Sequence, residues 1–386
     1  MFGAFACVLI ASQSKSVKSL GNNHLSLHWY KDIPAARAEL KFGDDGSVWN
    51  LTYQYKPIPA EYRADPGDPD VTGFTVASTN QKRWKYSGLC TLAPIEIQTD
   101  GTTVIAYQPR DFLGLVAFDT KTGKQLWSKK KSISGLASIV RLSSGVVCQW
   151  EANQLTATHA QTGKLLWKKS LSAFAKNVRF SEIQISGDKL FVNLEVDKQV
   201  FLFCFDAKTG NQLWKQIIGV PLWITDEHDL PGFQITDGKI VGYQYSDERD
   251  AQGLQLQSLY CLDVMTGNQI WTHEIPYTGW PFCPQVSKSR ILVPTKGAYL
   301  YKVSDGAQVA HFKARIPELV GEYVLDADEK DRLQIFSSAS GDRLSQIQLP
   351  KAMWNFTSVG NKKFLSRYTG SGAAWALRLY DIRAKK

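Results

Sequence analysis

The residues best suited to chemistry are few and scattered. Asp226-Glu227-His228-Asp229 is the densest run of metal-ligand types, yet consecutive residues seldom converge on one ion, and a solvated acidic loop is the simpler expectation. Six cysteines, Cys7, Cys90, Cys148, Cys204, Cys261 and Cys283, form no CxxC pair, which argues against zinc and c-type haem sites. His24, His28, His159, His273 and His311 fall in different parts of the chain. No Ser/His/Asp or Cys/His set can be assembled from spacing, so no catalytic residue and no metal ligand is assigned. Single carboxylates such as Glu182 and Glu195 read as surface charges.

What must position any site is a repeated strand pair. Residues 117–127 read AFDTKTGKQLW, 204–214 read CFDAKTGNQLW, and 261–271 read CLDVMTGNQIW. A fourth copy, ATHAQTGKLLW at 157–167, puts His159 in the Asp position. The spacing describes a hairpin. Asp119, Asp206 or Asp263 accepts hydrogen bonds from turn amides. Gly123, Gly163, Gly210 or Gly267 takes the positive φ of a tight turn. Four residues on, Trp127, Trp167, Trp214 or Trp271 offers a flat ring, able to bury on the order of 200 Å² against a neighbouring sheet. Ala117, Ala157, Cys204 and Cys261 share one repeat position, which reads as a small buried slot.

Degenerate copies extend the series. Trp84 follows Asn80, which tolerates the glycine's conformation. Asp305-Gly306 and Ser340-Gly341 mark turns whose Trp positions hold Ala310 and Ser345, so these two units are expected to pack less tightly. With Trp29 as the first anchor, successive anchors fall at spacings that suit four short strands per unit, about 40–50 residues. The last unit lacks its fourth strand, and residues 25–30, LSLHWY, supply one. The expectation is an all-β chain: an eight-bladed β-propeller of four-stranded antiparallel blades, closed by the N-terminal strand, with seven blades as the alternative.

The A-x-D-x-x-T-G-x-x-x-W pattern resembles the repeat of pyrroloquinoline-quinone (PQQ)-type propellers, in phase over residues 25–386. The resemblance is to the non-catalytic, BamB-like branch more than to the quinoprotein dehydrogenases. Those enzymes carry adjacent cysteines over the quinone and a Glu/Asn/Asp calcium set, and neither can be matched here. The resemblance therefore implies a fold rather than a cofactor, and neither PQQ nor Ca²⁺ is expected. A quinoprotein-like oxidoreductase using both in the central funnel stands as the alternative.

Residues 21–386 read as one propeller domain. Residues 1–20 read as a possible signal or targeting segment, apolar over 1–12 but without a preceding basic residue. Export to the periplasm, the medium or a membrane anchor is the expectation, with the cytoplasm as the alternative. The net charge of +9 allows an acidic partner or peripheral membrane association. No arginine-rich helix or RNP-like strand points to nucleic acid. Lysines on edge strands, such as those from Lys129 to Lys131, are also a device against edge-to-edge pairing.

Insertions longer than a blade needs fall on one face: 56–72, 219–232, 246–257 and 275–284. Their aromatic residues, Tyr62, Trp223, Tyr277, Trp280 and Phe282, together with His228, are the candidate anchors for a protein or peptide partner. A monomeric, non-catalytic binding scaffold is the resulting expectation.

Overall fold

A computed structural model describes the strands between Leu25 and Ile382 and most turns joining those from residue 96 to 348. Side chains are described within residues 98–347. Residues 1–24, 56–70, 108–114, 130–138, 171–177, 277–283 and 383–386, with several shorter connections, lie outside the described residues.

Among the described residues there is no helix, and eight four-stranded antiparallel sheets are formed. They fall into two compact units, residues 36–313 and residues 1–35 with 314–386.

The larger unit holds six sheets, each with its strands in sequence order. The first joins Ala38–Phe42, Val48–Tyr55, Val71–Ser78 and Arg83–Cys90. The second joins Glu96–Thr99, Thr103–Tyr107, Leu115–Asp119 and Gln125–Lys129. The third joins Ile139–Ser143, Val146–Glu151, Gln154–His159 and Leu165–Ser170. The fourth joins Val178–Ser186, Lys189–Val196, Gln199–Asp206 and Gln212–Gly219. The fifth joins Phe233–Thr236, Lys239–Arg249, Gln255–Asp263 and Gln269–Ile275, and the sixth Gln285–Val286, Arg290–Pro294, Ala298–Lys302 and Gln308–Phe312.

In the smaller unit the seventh sheet joins Glu318–Val320, Tyr323–Ala327, Arg332–Ser337 and Arg343–Gln348. The eighth is Met353–Ser358, Lys363–Thr369 and Ala374–Ile382, completed by the N-terminal strand Leu25–Pro34. That strand pairs antiparallel with Ala374–Ile382, Trp29 standing opposite Leu379.

The core of the larger unit lies between successive sheets. Leu190 and Val192 of the fourth sheet pack with Cys148 and Leu155 of the third. Phe191, between them in sequence, packs the other way, with Phe233 and Tyr260 of the fifth. Period-two alternation thus feeds two cores from one strand, which is why the middle strands read as nearly unbroken apolar runs. Fourth strands have neighbours on one side only, and their pattern is mostly exposed.

The repeated turn is built twice over. In the fourth sheet Asp206 N donates to Asn211 O, and Gly210 N donates to Asp206 O. The Asp206 carboxylate accepts from the amides of Lys208 and Thr209 and the Thr209 hydroxyl, at 2.7 to 3.0 Å. Asp119 and Asp263 do the same in their own turns. The Thr amide first, then the Thr hydroxyl, holds Asp119 below the ordinary carboxylate value. His159 Nδ1 accepts the Gln161 amide in the variant copy. Gly123 and Gly210 both sit at φ 72°, where a Cβ would be strained.

The tryptophans of the second to fifth sheets reach forward to the next sheet. Trp127 Nε1 donates to Ala160 O at 2.7 Å, Trp167 to Ala207 O at 2.8 Å, Trp214 to Val264 O at 3.3 Å and Trp271 to Val303 O at 3.0 Å. The ring lies over that sheet's turn glycine: a Cβ on Gly210 would stand 2.7 Å from Trp167. Opposite each indole on its own sheet is the small slot, Ala117, Ala157, Cys204 or Cys261, fully buried in every case. Burial pushes the Cys204 thiol to about 12 and the Cys261 thiol to about 11, so neither is a nucleophile at neutral pH.

Two surface assignments fail. Glu195 lies on the second strand of the fourth sheet and is only 8% exposed, because sheets cover both faces of that strand. Glu182 is half-buried and ties two sheets together.

Candidate binding face

The fifth sheet carries more structure than a four-stranded unit requires. Between the fourth and fifth sheets, Leu222–Ile224 and Glu227–Asp229 form a separate two-stranded hairpin. Its register sets Trp223 opposite His228. Two of the residues singled out in the sequence thus share one rung. Glu227 and Asp229 belong to the same strand, so the expected acidic loop is in part a paired strand.

The approach to this hairpin is fixed to the fifth sheet. Val220 bridges Tyr245, with Val220 N donating to Tyr245 O at 3.0 Å. Gly219 stands at φ 119°, and a Cβ there would meet Tyr245 O at 2.5 Å, so only glycine permits this close approach. Gln255, 5% exposed, donates from Nε2 to Pro221 O at 3.4 Å and to Ser246 O at 3.2 Å. Gln257 donates to the Tyr245 hydroxyl at 3.3 Å. A buried amide needs such partners, and here they pin one insertion to the next.

The segment 246–257, expected as a loop, is largely strand. The second strand runs on through Arg249, which stands opposite Gln255, and the chain turns between them, where Gly253 N donates to Asp250 O. Arg249 Nη1 donates to Gly253 O at 2.6 Å across the tip. Tyr62, Tyr277, Trp280 and Phe282 lie outside the described residues.

First strands supply a second set of polar groups. Glu182 accepts from Gln184 Nε2 at 2.7 Å and from Phe233 N at 3.2 Å, and Gln184 Nε2 also donates to Phe233 O. Burial raises the Glu182 carboxyl, an effect opposed by those two hydrogen bonds and by Arg141. Gln234 Oε1 accepts Val286 N at 2.9 Å in the next pair of sheets. These groups spend their hydrogen bonds on joining first strands. Among the described residues no group of three or more His, Cys, Asp or Glu is placed to hold a metal ion.

The stacked four-stranded sheets and the indole-locked turn define a β-propeller. Residues 77–235 match the family described as "Outer membrane protein assembly factor BamB", so over that stretch the repeats are of the BamB-like kind. BamB from Moraxella catarrhalis superposes with a TM-score of 0.55 at 14% identity, over 90% of this chain and 99% of that one. The computationally designed Ika8 protein gives 0.53 at 12% identity, over 91% and 98%. The Dos1 propeller gives 0.53 at 10%, over 91% and 94%. At these identities the likeness is one of fold. No curated protein matches the sequence.

Proposed function

We propose that this chain is a non-catalytic propeller scaffold that binds a protein or peptide partner, outside the cytoplasm, on the face bearing the 222–229 hairpin. The observation that carries this reading is that hairpin itself. It is an addition to the four-stranded plan, anchored by Val220, Gly219 and Gln255, with Trp223 on its central rung. Loops and additions held on a rigid scaffold are where recognition concentrates. The family description, an outer-membrane assembly factor, supports both a protein partner and an exported location.

Affinity capture with the full chain, compared with a Trp223→Ala/Trp280→Ala variant, tests the placement. A specific partner should be lost from the variant while its thermal unfolding is unchanged; a partner retained by the variant removes the site from this face. The quinoprotein alternative is tested by titrating PQQ with Ca²⁺. Saturable binding with a shifted quinone absorbance would replace the scaffold reading.

A further inference from the structure

We propose that the outer edge of the second, third and fourth sheets is a docking surface for an anionic lipid membrane. Their fourth strands read QLWSK, LLWKKS and QLWKQIIG, with no acidic residue among them. Leu126, Leu165, Leu166, Leu213 and Ile217 on these strands are 36% to 51% exposed. Large aliphatics so displayed on the fourth strands of three successive sheets make a surface rather than a groove.

The lysines between them lie against apolar rings, and Lys168 and Lys215 are exposed. Lys129 Nζ is 5.7 Å from the centre of the Trp127 ring, Lys169 Nζ 5.9 Å from Phe205, and Lys215 Nζ 5.3 Å from Phe201. Burial lowers the Lys129 ammonium, which donates to Thr158 Oγ1 at 2.9 Å. Among the described residues no ion pair joins Lys129, Lys168, Lys169 or Lys215 to a carboxylate. Asp119 and Asp206 at the ends of this edge turn their carboxylates to their own turn amides.

Lysine on an edge strand discourages strand addition, and that would explain the charge alone. It does not explain aliphatics exposed beside the charge. Exposed apolar side chains interleaved with basic ones match the interfacial layer of an anionic bilayer. The basic charge ends at the fifth sheet: its fourth strand, QIWTHEI, keeps Ile270 44% exposed but has no lysine and carries Glu274. This proposal is independent of the partner face above.

The test is co-sedimentation of the full chain with phosphatidylcholine vesicles, with and without phosphatidylglycerol. Binding should require the anionic lipid and fall steeply at about 0.5 M salt. Each lysine near an anionic surface contributes about fivefold in affinity, so Lys168→Glu/Lys215→Glu should weaken binding by at least about 25-fold. Leu213→Ser/Ile217→Ser should weaken it without changing its salt dependence. Lys288→Glu/Lys313→Glu, with the same charge change on exposed lysines elsewhere, should leave binding within about twofold. Equal loss in that control, or no preference for anionic vesicles, would overturn the proposal. Binding of an acidic apolar peptide by a chain that ignores vesicles would overturn it in favour of a protein partner.

Discussion

The second to fifth sheets and the sixth and seventh close the same turn with different means. In all six the backbone pattern is identical: Gly306 N donates to Lys302 O, and Gly341 N to Ser337 O, as Gly210 N does to Asp206 O. The Asp and the indole, however, are confined to the earlier sheets. In the sixth, the Asp305 carboxylate accepts the Ala307 amide, Ala310 stands where the Trp would be, and His311 stacks on Tyr299 with ring centres 4.0 Å apart. In the seventh, Ser345 stands there, 8% exposed, its hydroxyl without a hydrogen-bond partner. The turn and the clamp are therefore separable devices. Glycine and backbone set the turn, and the indole joins one sheet to the next.

Trp271→Ala should break this distinction most severely. The ring is 9% exposed and its Nε1 holds Val303 O, so the loss should approach about 3–5 kcal/mol in denaturant unfolding. A cost below about 1 kcal/mol would mean that the indole is no clamp. Gly210→Ala against Gly145→Ala sharpens the comparison. Both glycines have positive φ, 72° and 77°, but only at Gly210 would the new Cβ strike an indole, Gly145 having nothing within 4 Å. About 1 kcal/mol is expected at Gly145 and about 2–3 kcal/mol at Gly210, measured the same way. Equal costs would assign the whole effect to backbone strain. Ser345→Ala should have the smallest effect, between no change and a gain of about 1 kcal/mol, since it removes a buried hydroxyl that has no partner. A loss larger than that would show that the Ser345 hydroxyl bonds a group in solution.

The repeat was legible because its chemistry is local. A carboxylate two and three residues from the amides it accepts, and a glycine forced to positive φ, leave marks at fixed spacing. The indole's acceptor was not legible, because Ala160, Ala207, Val264 and Val303 contribute only a backbone carbonyl, which any residue has. The burial of Glu182 and Glu195 leaves no local mark for a related reason: it depends on neighbouring sheets rather than on their own flanks. The extension of the fifth sheet to Arg249 was hidden by its polar sequence, SDERDAQG, whose alternation carries no apolar face. On the candidate face, spacing located the insertion at 219–232, but the rung that pairs Trp223 with His228 emerges only from strand register.

The forward reach of the indoles has a consequence for synthesis. The carbonyls that receive Trp127, Trp167, Trp214 and Trp271 lie 33, 40, 50 and 32 residues further along the chain. A sheet emerging from the ribosome is therefore complete in its own hydrogen bonds before its clamp has anything to grip. Each repeat remains provisional until the following one has been made, and consolidation trails elongation by one unit. A chain stalled within this region would always display its newest tryptophan, unsatisfied, at its growing end.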